Sequence, residues 1–121
     1  NVLTRTDSEI PEALKSRDVA KAFYGLSREL LSEKINNMEQ LNAVATETAL
    51  KIDDLIQNLV LDNSRPIVDW QFKTNITGKL LIEIGDYMID EVRDKYQIEL
   101  SFQEMDKIAD ECIEVAKIRY K

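Results

Sequence analysis

Apolar residues recur along this chain at intervals of three and four, the period of an α-helix with one buried side. Val19, Ala22/Phe23, Leu26, Leu30 and Ile35 form one such row, with Glu29, Glu33 and Lys34 largely off it. Ser16 or Asp18 is placed to cap this helix. Gly25 lies inside it at a cost of about 1 kcal/mol relative to Ala, which predicts tight packing or a kink there. Asn36-Asn37 is the expected stop. Leu41, Val44/Ala45, Thr48/Ala49, Ile52, Leu55/Ile56 and Leu59 then form the cleanest amphipathic row, reaching to about Leu61. The stretch from Asp62 to Pro66 breaks the period, and Arg65, preceding proline, is pushed out of the α region.

A fourth helix is predicted after Trp70, with apolar positions Ile76, Leu80/Leu81, Ile84, Tyr87/Met88 and Val92. Ile82 and Ile89 widen its stripe, which predicts contacts on more than one side, and Gly78 and Gly85 suit close backbone approach. Gln97-Ile98-Glu99-Leu100 alternates polar and apolar, the period of an extended linker. Ser101 followed by Glu104 is a capping box, with Leu100 and Met105 spaced as a hydrophobic staple. The last helix carries Met105, Ile108/Ala109, Cys112, Val115/Ala116 and Arg119/Tyr120. At the other end, Asn1 to Ser8 is polar and expected to be flexible, and Pro11 suits the first turn of a short helix through about Ser16. No repeat and no sustained heptad is present. The pattern predicts an all-α fold, a compact bundle-like domain of about five helices with short connections, spanning 1–121 as one domain.

Composition narrows the chemistry. Three Gly and two Pro in 121 residues are too few for the many turns of an all-β fold. The absence of His removes Ser-His and Cys-His nucleophile pairs, an imidazole base and His-containing zinc sites. A single cysteine, Cys112, excludes an internal disulfide and fits a reducing compartment. No apolar run has the length of a membrane span and no signal peptide is visible, so a cytoplasmic protein without membrane contact is expected. The opening residue is Asn1 rather than Met, which points to an excised piece or a processed product of a larger parent.

Carboxylates are abundant, and two rows stand out: Glu83, Asp86, Asp90 and Asp94, and then Asp106, Asp110 and Glu114. Solvated helix faces are the favoured reading of both, since no Glu-x-x-His motif and no calcium-loop spacing accompanies them. Gly78-Lys79 lacks the upstream glycine of a Walker A loop, and no Lys follows an Asp or Glu at a spacing of two. Cys112 sits on an apolar stripe and reads as a small core residue. No catalytic, cofactor-binding or metal-binding residue is therefore assigned.

The net charge of −7 makes the bulk field unfavourable for nucleic acid, but local basic groups remain. Lys15, Arg17 and Lys21 cluster near the first helix junction, and Arg65, Lys73 and Lys79 flank the central break. If they converge, these six are the candidates for sequence-independent phosphate contact. Asp53, Asp54, Asp69 and Trp70 are the candidate partner-binding residues. Trp70 is either a partner anchor or a plug that seals the core, with the plug favoured. Asp69 is also placed to cap the helix after Trp70.

Three segments resemble a known family: Ala22-Phe23-Tyr24-Gly25, the run from Ala49 to Ile56 (Ala-Leu-Lys-Ile-Asp-Asp-Leu-Ile), and Val68-Asp69-Trp70 followed by a Lys-containing apolar helix. In this order and spacing they resemble the C-terminal domain of type I restriction-modification motor (R) subunits, with the Ala-Leu-Lys-Ile-Asp-Asp run closest to the IC-type branch. The resemblance covers the chain from about Asp18 onward. It implies a non-catalytic domain of a large cytoplasmic parent, a type I site-specific deoxyribonuclease whose nuclease and ATPase domains lie upstream. That parent uses ATP and Mg²⁺, while this domain holds no cofactor. The implied partners are the methyltransferase and specificity subunits, the rest of the parent chain, and DNA bound without sequence preference. The resembling segments are apolar or acidic as often as basic, so protein contact is weighted above DNA contact. A generic helical adaptor without a DNA role is the alternative, and a carboxylate-dependent metal enzyme is the least favoured.

Overall fold

The computed structural model of the chain describes Leu14 and residues 17–120. The expected flexible opening and nearly all of the short helix ending at Ser16 lie outside the described residues. The all-α expectation holds: among the described residues four α-helices, rather than about five, are joined by short connections that include one very small hairpin. They are α1 (Asp18–Leu31), α2 (Met38–Val60), α3 (Thr74–Tyr87) and α4 (Phe102–Arg119).

Helix α1 starts after Arg17 with no side-chain cap, and Asp18 in its first turn faces the positive helix end instead. It stops at Leu31, four residues short of Ile35, whose N–H still bonds to the Leu31 carbonyl in a closing turn. Asn37 then caps α2, its side chain accepting from the Gln40 N–H at 2.9 Å. Helix α2 ends at Val60, one residue from the expected end. The break that follows is a tight hairpin. Strand β1 (Leu61–Asp62) pairs antiparallel with β2 (Arg65–Pro66), Leu61 opposite Pro66. Asn63 and Ser64 both take positive φ, as a two-residue primed turn requires.

A 3₁₀ turn, Trp70–Phe72, leads into α3. Asp69 does not cap: its backbone is left-handed and its side chain makes no capping bond, while Lys73 stands at the α3 N-cap. Helix α3 passes directly into a π-helical stretch, Met88–Asp94. The wider turn there displaces Asp90 and Asp94 from the face that α-helical spacing assigns them. Contacts on more than one side are present, since α3 packs against both α2 and α4 and Ile89 is partly buried against the core, but Ile82 is solvent-exposed and takes no part in them. Residues 97–100 alternate as expected: Ile98 and Leu100 are buried, Gln97 and Glu99 exposed. The capping box is complete, Ser101 Oγ accepting from Glu104 N–H at 3.1 Å and Glu104 Oε1 from Ser101 N–H at 3.0 Å. Leu100 and Met105 are both buried beside it.

One continuous core joins these elements, centred on Phe23, Leu31, Ile52, Ile56, Leu80, Ile84 and Met88. Helix α2 packs against α1 and α3, and α4 packs against the same two. The glycines do not mediate any of this. A Cβ added at Gly25, Gly78 or Gly85 meets nothing within 4 Å, so the expected close approaches are absent.

Candidate functional site

Asp53 lies on the apolar row of α2, one turn after Ala49 and one before Ile56, and is 1% exposed. A carboxylate in that position needs several partners, because burial without them costs several kcal/mol, on the order of 2–7 even for a neutral polar group. Three side chains converge on it. Arg17 approaches with both Nε, at 3.1 Å, and Nη2. Gln57 Nε2 donates at 3.0 Å from the next turn of α2, and the Tyr120 hydroxyl donates from the end of α4. Gln57 also donates to the Tyr120 oxygen at 3.1 Å. Arg17 completes its fork on Asp54 Oδ1 at 2.9 Å.

The same Tyr120 accepts, through its main-chain carbonyl, the Trp70 indole N–H at 2.6 Å. Trp70 is fully buried, the sealing position, while Phe72 two residues on is 82% exposed. One residue at the C-terminal end thus ties down the middle of α2 and the turn before α3. Burial pushes the Tyr120 phenol well above its ordinary range, and the hydrogen bond to Asp53 adds to the shift. Partial burial works against the Arg17 charge, but Asp54 and Asp53 outweigh it and raise its pKa.

The candidate residues therefore separate. Asp53 and Trp70 turn inward, so neither offers its side chain to a partner; Asp54 and Asp69 are exposed. Among the basic group, Arg17 is engaged by two aspartates and Lys21 pairs with Asp18 at 3.5 Å. Lys15 lies outside the described residues. Arg65, Lys73 and Lys79 are exposed and make no ion pair among the described residues. Lys73 and Lys79 are six residues apart, about 240° around a helix and about 9 Å along it, so they do not share a face.

Several interactions carry no sequence signal. Tyr96 and Lys95 close on Glu47, at 2.7 and 3.4 Å. Lys34 reaches Glu104 at 3.0 Å and joins the end of α1 to the start of α4. Asp53 alone has a readable mark, an acid on an apolar stripe; its distant partners have none. The carboxylates at 86, 90, 94, 106, 110 and 114 are exposed. Among the described residues no group of three or more His, Cys, Asp or Glu side chains is arranged to hold a metal ion. Cys112 is fully buried, and burial pushes its thiol up to about 12. No helix among the described residues is long and apolar enough to cross a membrane. No known protein family, curated protein or solved structure matches the chain.

Proposed function

We propose that this chain is the C-terminal helical domain of a type I restriction enzyme motor subunit, IC-type branch. Its task in this reading is assembly with the methyltransferase and specificity subunits, with a secondary contact to DNA. The observation that supports it is the meeting of two resembling segments on one residue. Asp53, from the Ala49–Ile56 run, and Trp70, from Val68-Asp69-Trp70, both bond to Tyr120. Catalysis belongs to the parent in this reading, a cytoplasmic, ATP- and Mg²⁺-dependent DNA translocase and endonuclease. The DNA contact falls to the exposed Arg65, Lys73 and Lys79, since Arg17 and Lys21 are paired with aspartates.

The test uses purified parent subunit with and without this domain, mixed with its methyltransferase core. Loss of retention on the core after deletion is the expected result. Equal retention overturns the assembly role. Replacing Arg65, Lys73 and Lys79 by Glu is expected to lower the salt slope of non-specific DNA binding by about 0.9 for each phosphate that is no longer neutralised. An unchanged slope, with core binding intact, leaves the adaptor reading.

A further inference from the structure

A cleft of about 230 Å³ runs between α1 and α4. Leu26, Glu29 and Leu30 of α1 and Glu33 in the turn after it form one side, and Glu104, Lys107, Ile108 and Glu111 of α4 the other, with Leu26, Leu30 and Ile108 as the apolar floor. Glu29 and Glu33 stand on one wall, and Glu104 and Glu111 on the other, with Lys107 between them in sequence. Lys34 satisfies Glu104, but Glu29, Glu33 and Glu111 make no ion pair among the described residues. The two features together are an apolar floor and facing walls of carboxylates, three of which make no ion pair among the described residues.

We propose that this cleft docks a cationic amphipathic segment of a partner protein. One or two aliphatic side chains of the segment enter the floor, and its flanking Lys or Arg side chains meet Glu29, Glu33 and Glu111. Charge complementarity selects this occupant: a neutral apolar segment leaves three carboxylates desolvated without a cation, and an acidic one is repelled. The volume suits the ends of side chains rather than a whole embedded element. This inference rests on the reading of the domain as an assembly module, and it names the chemistry of the surface recognised.

The test titrates the isotope-labelled chain with a synthetic 12-residue peptide, about half Lys and half Leu, with Leu at helical spacing, following amide shifts. Shifts are expected at residues 26–33 and 104–111. Neutralising the walls (Glu29→Gln, Glu33→Gln, Glu111→Gln) is expected to weaken binding about tenfold and to flatten its salt dependence. An equal charge change elsewhere (Asp62→Asn, Asp86→Asn, Asp90→Asn) is expected to weaken it less than about twofold. Equal losses in the two variants, or shifts centred elsewhere, reduce the effect to general attraction by an acidic chain and overturn the proposal. So does equal affinity for a peptide with Gln in place of Lys. The same wall substitutions in the parent separate the two readings. If they leave core binding intact while deletion of the domain abolishes it, the cleft fails and the assembly role stands; if deletion has no effect, the assembly role itself fails.

Discussion

The hydroxyl of Tyr120 offers the sharpest test of how this fold is held together. Tyr120→Phe removes one oxygen and leaves a ring of the same shape on a half-buried site. The lost bond is to a carboxylate, and such bonds contribute about 1.5–3 kcal/mol where neutral ones contribute about 1. Gln57 is not orphaned, because it keeps Asp53 Oδ2 at 3.0 Å, and the Trp70 bond goes to the main chain and survives. The expected loss is therefore at least about 2 kcal/mol, since no donor is stranded but the buried Asp53 Oδ1 loses its hydroxyl partner. For 121 residues the unfolding entropy makes that a fall of about 8 °C in Tm. Asp53→Ala strips all the donors at once. Removing one partner of a buried pair costs about 3–5 kcal/mol, and the lower end applies, since the Arg17 side chain is 30% exposed and keeps Asp54. Urea unfolding followed by far-UV circular dichroism and by the fluorescence of Trp70, the sole tryptophan, measures each loss. In the Asp53→Ala background Tyr120→Phe should cost almost nothing, because its partner is already gone. A loss below about 0.5 kcal/mol, or the same loss in both backgrounds, refutes the claim that Tyr120 acts through Asp53.

Other expectations follow from single features. Gly25→Ala and Gly85→Ala should each raise stability by about 0.5–1 kcal/mol in the same unfolding assay, because both sites have room for a Cβ. The Cys112 thiol, buried and held protonated up to about 12, should react with a thiol reagent only at the rate of unfolding; rapid native-state labelling contradicts its placement. The Ser101 N–H, and then Lys34, hold Glu104 below the ordinary carboxylate range. A depressed folded pKa contributes stability above the unfolded value and loses it as pH falls through the folded one. Glu104→Gln should therefore flatten the acid side of the stability profile, as pH falls below about 4.5. Burial likewise lifts Tyr87 to about 12 and Tyr120 above its ordinary range. Raised values act with the opposite sign, so their contribution is whole below about pH 10 and falls as alkali ionises the unfolded phenols first, which absorbance titration of native and unfolded chain will show.

Much of this architecture is written locally. The period of α2, the Asn37 cap, the Ser101-Glu104 box and the alternation of residues 97–100 each depend on neighbours within about a turn, and local sequence carries such signals directly. The hairpin is half legible. The break at residues 62–66 is plain, but Asn63-Ser64 lacks the glycine that advertises a primed turn. The π-helical stretch at Met88–Asp94 leaves no mark, since its residues fit an α-helix equally well. The glycines mislead because a helix tolerates them at a modest cost even where nothing packs on them.

What the sequence determined by itself is the kind of molecule: helical, poor in turns, without histidine, with one core-facing cysteine. Tertiary structure decided what the charged residues are for. Arg17 was available for DNA and Asp53 for a partner until a separation of 36 residues closed and each took the other. Tyr120 gained its place from the fold alone, 67 residues from Asp53 and 50 from Trp70. The reason is one of range. Helix periodicity acts over three or four residues, whereas a buried carboxylate must draw its donors from wherever packing delivers them.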